Sequence, residues 1–139
     1  MNVVKILVNH NIDIYAVDTE EGNALHLAAS KNTVDVIKML LDQNIDIYAV
    51  DREEENALHL ATSKNTVGVI KMLLNQNIDI YTVDREEENA LHLAASKNTV
   101  DVIKTLLDQN IDIYSVDREE RNSLHLAASK NTVDVIKML

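Results

Sequence analysis

The sequence predicts an all-α solenoid of stacked helix-turn-helix units with short hairpin-like connections. The first observation is a repeat: "NALHLAASKNT" at residues 23–33 returns, with at most one substitution, at 56–66, 89–99 and 122–132. The second is that each repeat holds two short helical patterns of apolar residues. A fixed period of 33 residues that contains two short helices is typical of repeat units that are stabilised by packing on their neighbours.

The units follow one another without a linker, so we expect a single array over residues 1–139. Residues 1–17 align with the end of a unit and form a partial repeat. Counted from Asp18, the full units and the incomplete last one cover 18–50, 51–83, 84–116 and 117–139.

The first helix of the second unit is expected over 57–64, "ALHLATSK". Alanine has high helix propensity and permits neighbouring helices to approach closely. Asn56 precedes this segment, where its side chain can accept hydrogen bonds from the free N–H groups of the first turn. The same motif starts the first helix in every unit.

The second helix of this unit is expected over about 67–76. Its apolar stripe consists of Val67, Val69, Ile70, Leu73 and Leu74. Thr66 stands at the N-cap, and Asn65 lies in the tight connection between the two helices. Asn77 follows at the C′ position, where a left-handed residue is needed and Asn is the best substitute for Gly.

After the second helix, "IDIYTV" at 78–83 alternates as a short extended arm, and "DREEEN" at 84–89 turns back towards the next helix. Helices this short are marginal alone, so stacking must stabilise them.

Composition disfavours several classes of protein. The net charge of −10 argues against nucleic acid as a partner, because phosphate contacts need a surplus of Lys and Arg. The absence of cysteine excludes disulfides and thiolate metal sites and fits a reducing compartment. No apolar run approaches the roughly 20 residues of a membrane helix. We expect a soluble, intracellular (cytoplasmic) protein without membrane insertion.

Two patterns are similar to metal sites. The repeated histidines would bind zinc only if their nitrogens met one ion at about 2.1 Å, whereas stacked units hold equivalent residues roughly 8–10 Å apart. The segment 42–53 offers oxygen ligands at EF-hand spacing, but Ile47 stands where the sharp turn needs glycine. We therefore expect no metal at either pattern, and no cofactor.

The period of 33 residues, the turn followed by two helices, and "NALHLAA" at the head of the first helix resemble the ankyrin repeat. The family's usual head is T-P-L-H-x-A-A, and its usual tail is a leucine pair followed by G-A-D-V-N-A. The first full unit matches this pattern at Leu25, His26, Ala28, Ala29, Leu40, Leu41, Asp46 and Ala49.

The departures from the family pattern lie at its turns. Asn-Ala replaces Thr-Pro, and the expected glycines are replaced by Glu54, Asn65 and Asn77 in the second unit. The two glycines present, Gly22 and Gly68, fall elsewhere. Glutamate is a poor left-handed residue, so the hairpin turn is where the family geometry is least expected to hold.

The resemblance implies a structural role for the repeated histidine, which in this family bridges neighbouring turns by hydrogen bonds. These residues are His26, His59, His92 and His125. His10 lies outside this set and is expected to be exposed at a helix end.

The resemblance also implies that a partner binds on the concave side, at the hairpin tips and the ends of the first helices. The residues at those positions are Arg52, Glu53, Glu55, Ser63, Lys64, Arg85, Glu86, Glu88, Ser96, Lys97, Arg118, Glu119 and Arg121.

The repeated tyrosines Tyr15, Tyr48, Tyr81 and Tyr114 stand where the family usually has Asn. They could form a binding strip with polar tips or fill the space between adjacent arms, and we favour the second interpretation.

We expect a protein–protein interaction scaffold rather than an enzyme, because the unit offers no nucleophile, recessed pocket or phosphate loop. The acidic hairpins predict a partner with a basic face. Two other roles stay open: a structural array without a dedicated partner, and the recruiting arm of a larger enzyme or channel.

Both ends carry ordinary interior sequence, with Val3, Val4, Ile6 and Leu7 at the start and Val133, Ile136 and Leu139 at the end. Natural arrays usually finish with polar capping units. Either the chain is a segment of a longer array, or copies associate end to end. We favour a segment with some end-to-end association.

Overall fold

The computed structural model describes residues 3–31, 33–64, 66–97, 99–130 and 133–139, with the backbone alone for 133–135. Over these ranges the chain contains nine α-helices and no strand, so the all-α prediction is confirmed. The helices are α1 Val3–Asn9, α2 Ala24–Ser30, α3 Val34–Asp42, α4 Ala57–Ser63, α5 Val67–Asn75, α6 Ala90–Lys97, α7 Val100–Leu107, α8 Ser123–Ser129 and α9 Val133–Met138.

The first helix of each unit begins at a reciprocal pair of hydrogen bonds. In α4, the side-chain oxygen of Asn56 accepts a hydrogen bond from the backbone N–H of His59 at 3.0 Å. The backbone N–H of Asn56 donates to Nδ1 of His59 at 3.1 Å. These bonds satisfy two groups at the helix start. The predicted cap is confirmed, and α4 ends at Ser63, one residue before the predicted end.

The second helix begins differently from the prediction. Thr66 occupies the N-cap position of α5, but its hydroxyl makes no capping bond. It donates instead to the carbonyl oxygens of Ala61 at 3.1 Å and Ala29 at 3.3 Å. The threonine therefore ties α5 to the preceding helix and the preceding unit. Asn77 has φ of 60°, the left-handed conformation predicted for it. Asn65 lies outside the described residues.

The arm after each second helix bends, whereas alternation predicted an extended segment. The Asp79 carboxylate accepts a hydrogen bond from the backbone N–H of Tyr81 at 2.8 Å, and this local bond turns the chain. Ile78 at the start of the arm remains 4% exposed and anchors it to the core.

The helices form two layers. The first helices pack in the order α2, α4, α6 and α8, and the second helices pack in the order α1, α3, α5, α7 and α9. The core lies between the layers. Its largest fully buried apolar side chains are Leu25, Ile37, Leu58, Val69, Ile70, Leu73, Leu91, Val102, Ile103 and Leu106. This arrangement leaves the hairpins between units as a third, separate row.

Candidate partner-binding surface

Each hairpin is closed by an aspartate. In the second unit, the N–H of Asp51 donates to the carbonyl of Glu55 at 2.9 Å. The Asp51 carboxylate accepts hydrogen bonds from the N–H groups of Glu53 and Glu55, both at 3.0 Å. Asp18, Asp84 and Asp117 make the equivalent bonds. A short polar side chain that binds nearby backbone N–H groups is well suited to this turn.

Neighbouring hairpins are joined by backbone hydrogen bonds. The N–H of Arg52 donates to the carbonyl of Glu20 at 2.8 Å, and that of Arg85 donates to Glu53 at 3.0 Å. The N–H of Arg118 donates to Glu86 at 2.8 Å. The four hairpins, 18–22, 51–55, 84–88 and 117–121, therefore form one continuous structure, which we call the hairpin row.

A left-handed glutamate forms the tip of every hairpin. The φ angles are 64° at Glu21, 62° at Glu54, 60° at Glu87 and 61° at Glu120. The hairpin turn, where the family geometry was least expected to hold, thus adopts the left-handed conformation at this position in all four hairpins. The turn keeps its conformation because the aspartate and the inter-hairpin bonds fix the residues on both sides, although a side chain in this conformation costs roughly 1–2 kcal/mol.

The predicted basic residues of the row are largely occupied within it. Nε of Arg85 donates to the carbonyl of Arg52 at 2.5 Å, and Nε of Arg118 donates to the carbonyl of Arg85 at 2.9 Å. Arg121 pairs with the buried carboxylate of Asp117 at 3.0 Å and with Glu119 at 3.8 Å. Two guanidinium groups thus lie along the backbone of the row, and a third neutralises carboxylates of its own hairpin.

The predicted acidic residues divide into two sets. Glu53, Glu86 and Glu119 are exposed, one in each of the last three hairpins. Glu55 and Glu88 are half-buried between hairpins. Burial, followed by the negative charges of Asp51, Asp84, Glu53 and Glu88, raises the pKa of Glu55 to about 7. Burial and the charge of Asp84 also raise the pKa of Glu88. The row is therefore crowded with negative charge.

The predicted first-helix residues lie at the C-terminal ends of α4 and α6, whereas the hairpins precede the N-terminal ends of these helices. The hydroxyls of Ser63 and Ser96 donate to carbonyls one turn earlier in their own helices, Leu60 at 3.1 Å and Leu93 at 3.0 Å. Both serines are half-buried, while Lys64 and Lys97 are exposed. The two lysines thus remain available to a partner.

Three of the repeated histidines, His26, His59 and His92, use both ring nitrogens in hydrogen bonds. Nδ1 of His59 accepts from Asn56, so Nε2 carries the proton and donates to the carbonyl of Glu88 in the next hairpin at 3.0 Å. Nε2 of His26 reaches Glu55 in the same way at 3.1 Å. His92 differs, since its Nε2 donates to Ser115 of its own unit. Burial lowers the pKa of His59, which keeps the ring neutral.

His125 is exposed, because no further unit of this chain packs against it. His10 is exposed at the end of α1, as expected. In the part of the chain that the structure describes, no group of three or more His, Cys, Asp or Glu side chains is placed to hold a metal ion. In the EF-hand-like segment, the Asp46 carboxylate accepts from the N–H of Tyr48 at 2.9 Å, and Ile47 is half-buried.

The tyrosines reach the next unit but remain accessible. The hydroxyl of Tyr15 donates to the carbonyl of Asn44 at 3.4 Å, and that of Tyr48 to Asn77 at 3.5 Å. Tyr15, Tyr48 and Tyr81 are 60%, 61% and 63% exposed, against 85% for Tyr114 in the last arm. The hydroxyls of Tyr15 and Tyr48 thus reach the turn after the second helix of the next unit, and all four rings present most of their surface to solvent.

Sequence reasoning missed a row of valines beside the hairpins. Val17, Val50, Val83 and Val116 precede the hairpin aspartates and are 39–58% exposed. The alternation in "IDIYTV" carried the signal, since it places Val83 with the exposed Asp79 and Tyr81 rather than with the buried Ile78. The acidic row is therefore bordered by apolar surface.

Comparison with known proteins agrees with this architecture. The family model for ankyrin repeats (3 copies) matches residues 1–84 and again residues 58–139. No curated protein was found to match the sequence. Among the described helices, none has the length and apolar character needed to cross a membrane. Ankyrin repeats are generally protein–protein interaction modules and typically non-enzymatic scaffolds. Since the two matches together span residues 1–139, the chain belongs to the ankyrin-repeat family.

Proposed function

We propose that the chain is a scaffold whose hairpin row binds the basic face of a partner protein. The observation that carries this proposal is the line of exposed carboxylates Glu53, Glu86 and Glu119, held in register by backbone hydrogen bonds between hairpins. Arg85 and Arg118 lie between them, but their guanidinium groups are bonded to carbonyls of the row. Both arginines remain exposed and keep their positive charge, but the hairpin row carries more carboxylates than guanidinium groups.

The crowding of these charges supports a cationic ligand. Glu55 ionises only near pH 7 because burial and its acidic neighbours oppose the charge, which raises its pKa. A Lys or Arg placed against the row would reduce this repulsion, so binding and ionisation of Glu55 would strengthen each other. Association should be steered by electrostatic attraction and should weaken as salt rises.

The same surface offers apolar contacts. The exposed valines beside the row and the ends of the first helices would meet a partner lying along the array. We propose that binding uses the predicted set: Arg52, Glu53, Glu55, Ser63, Lys64, Arg85, Glu86, Glu88, Ser96, Lys97, Arg118, Glu119 and Arg121. Because the hairpins are nearly identical, the surface suits a partner whose basic residues also recur at regular spacing. This role requires no catalytic residue and no cofactor.

The proposal is tested by charge reversal with a matched control. The test variant is Glu53→Lys, Glu86→Lys and Glu119→Lys in one chain. The control reverses the exposed second-helix residues Asp35, Asp42 and Asp101 to Lys. Each variant changes three charges by two units, so the net charge goes from −10 to −4 in both.

The wild-type chain and both variants serve as bait in a pull-down, and a lysine-rich peptide serves as a defined probe. We expect the hairpin variant to lose most of the captured partner and peptide, and the helix variant to retain them. Equal loss in both variants would show that net charge, rather than the hairpin row, controls binding.

End-to-end self-association is a second proposed use of the chain. It is favoured by the exposed apolar residues at both ends, among them Val3 at 68% and Leu124 at 48% exposure. It uses surfaces other than the hairpin carboxylates, so both activities are compatible.

A further inference from the structure

Each arm carries a tyrosine whose backbone is fixed in the same way. In all four arms, the carboxylate of the aspartate two residues earlier accepts a hydrogen bond from the tyrosine N–H at 2.8–2.9 Å. The hydroxyls of Tyr15 and Tyr48 also reach the next unit. The rings therefore recur at one position in every unit. We call the set the tyrosine strip: Tyr15, Tyr48, Tyr81 and Tyr114.

The rings of the tyrosine strip are exposed within the array. Tyr15, Tyr48 and Tyr81 are 60–63% exposed, although each is followed by the complete arm of a further unit. Val50 and Val83, two residues beyond their tyrosines, are 44% and 39% exposed. Side chains that filled the space between arms would be buried. The exposure therefore favours a binding surface with an apolar body and polar tips.

The tyrosine strip has negative charge beside it and no positive charge in its own segments. Segments 42–50, 75–83 and 108–116 contain no Lys or Arg. Each has an exposed aspartate next to its tyrosine, namely Asp46, Asp79 or Asp112. The second helices end where these segments begin, and the C-terminal end of a helix carries partial negative charge. The ligand that fits this chemistry is a cation.

A ring beside a carboxylate fits arginine better than lysine. The planar guanidinium group stacks on the face of an aromatic ring, and its N–H groups can still donate in the plane to a carboxylate. The lysine ammonium group is a compact and strongly hydrated charge, so it gains less from the ring. Each unit therefore offers a place for one arginine side chain.

The spacing of the units sets the spacing of these arginines. Packed helices lie roughly 8–10 Å apart, so equivalent rings recur at about that distance. In a polyproline II helix, every third side chain returns to the same face after roughly 9 Å. In a β-strand, side chains three residues apart point to opposite faces. The polyproline II conformation is thus the extended form that matches the array.

We propose that the tyrosine strip binds a segment of a partner protein in the polyproline II conformation, with an arginine at every third residue. Each guanidinium group stacks on one ring and donates to the aspartate carboxylate beside it. This surface uses residues other than those of the hairpin row and goes beyond the function proposed above.

Binding is tested with a synthetic peptide of repeated Pro-Pro-Arg triplets. The chain has four tyrosines and no tryptophan or phenylalanine, and the peptide has no aromatic residue, so tyrosine fluorescence reports on the strip. One control peptide has the same composition with all arginines at one end, and a second has lysine in place of arginine. We expect the triplet peptide to change the tyrosine emission and to bind about tenfold more tightly than either control.

Two double variants separate the aromatic face from apolar surface. Tyr48→Phe with Tyr81→Phe keeps both faces, and the bond from the Tyr48 hydroxyl is long at 3.5 Å, so the affinity should stay within about twofold. Tyr48→Leu with Tyr81→Leu keeps apolar side chains without the aromatic face and should lower the affinity about tenfold. Isothermal titration calorimetry measures both. Thermal unfolding of both variants should follow the wild type, because these side chains are exposed.

A third double variant tests the charge beside the rings. In Asp46→Asn with Asp79→Asn, the side chain can still accept the bond from the tyrosine N–H, but it carries no charge. We expect the affinity for the triplet peptide to fall severalfold while the arms keep their conformation.

Three results would overturn the proposal. Equal affinity for the arginine and lysine triplets would exclude stacking on the rings, and equal affinity for the peptide with clustered arginines would exclude the spacing. The third is binding of the triplet peptide that survives in the leucine variant but is lost when Glu53, Glu86 and Glu119 are changed to Lys, which would place the peptide on the hairpin row. Failure of the hairpin row to capture the lysine-rich peptide would leave the preference for arginine triplets intact, so the two proposals fail separately.

Discussion

The repeated histidine illustrates how one residue joins two units. His59 is 1% exposed, caps its own helix through Nδ1 and donates through Nε2 to the next hairpin. His125 stands in the same motif but is exposed. His125 therefore serves as an internal control for the stability that the buried ring of His59 contributes.

We expect His59→Ala to lower the free energy of unfolding by about 1–3 kcal/mol, because it leaves buried polar groups without partners. His125→Ala should lower it by much less. Chemical denaturation checks both, and adding a chelator should change neither. Chelator-dependent unfolding of the wild-type chain would instead indicate that the histidines bind metal.

Thr62 is the exception among its equivalents. Its hydroxyl is buried and meets no hydrogen-bond partner among the described residues. Ala29 and Ala95 occupy the same position in neighbouring units and are fully buried. Thr62→Ala should therefore stabilise the fold by about 1 kcal/mol, because it removes an unsatisfied hydroxyl. Thr66→Ala is the matched control and should destabilise, since Thr66 donates two hydrogen bonds. A loss of stability in Thr62→Ala would contradict this account.

Glu55 couples stability to pH. Its pKa is about 7 in the folded chain and 4.5 as an ordinary value. The folded state therefore favours the protonated form, so the contribution of Glu55 to stability is full below pH 4.5 and is lost as pH rises through 7. Glu55→Gln should remove this loss. The variant should therefore gain stability over the wild type at pH 8 but not at pH 5, as measured by denaturation at both pH values. The same change at exposed Glu53 is the control, and an equal effect there would refute the assignment.

His59 acts in the opposite direction. Burial lowers its pKa in the folded chain below the ordinary value of 6.5. Its contribution is therefore present above pH 6.5 and is lost as pH falls towards the lowered pKa. Between pH 4.5 and 6.5 the two groups therefore change stability with pH in opposite directions, and their effects partly cancel.

At the scale of the element, the hairpin departs most from the expectation based on residue preferences. Glutamate disfavours the left-handed region, yet Glu54 and its three equivalents adopt it with φ of 60–64°. Two sets of hydrogen bonds fix the turn: those of the aspartate within the hairpin, and those between the hairpins of neighbouring units, which a single unit does not show.

Glu54→Gly should therefore stabilise the chain by about 1 kcal/mol, because glycine adopts the left-handed region without steric cost. Glu87→Gly should add a similar amount, since the two sites are independent. Glu53→Gly, one residue earlier, should stabilise nothing. Thermal unfolding checks the series, and no gain in Glu54→Gly would show that the turn carries no strain.

Helix positions and caps could be predicted from the sequence because they depend on neighbours within a few residues. The Asn56 cap, the Asn77 terminus and the buried stripe of α5 followed from spacing alone. The Thr66 hydroxyl could not be assigned, because one of its acceptors, the carbonyl of Ala29, lies in the preceding unit. The guanidinium contacts of Arg85 and Arg118 escaped prediction for the same reason, since their acceptors also lie one unit away.

At the scale of the whole molecule, the repeat places the exposed carboxylates of successive hairpins at regular spacing along the hairpin row. The pKa of Glu55 links binding at this row to pH: a basic partner should bind more tightly as pH rises through about 7, because Glu55 becomes charged.

The most direct test of the central claim is the association rate of the lysine-rich peptide with the chain, measured by stopped flow over a range of salt concentrations. The wild-type rate should fall steeply as salt rises, because attraction between exposed charges is screened. The variant with Glu53, Glu86 and Glu119 changed to Lys should bind slowly at every salt concentration, and the second-helix variant of equal net charge should follow the wild type. A wild-type rate that is indifferent to salt, or equal slowing in both variants, would contradict binding at the hairpin row.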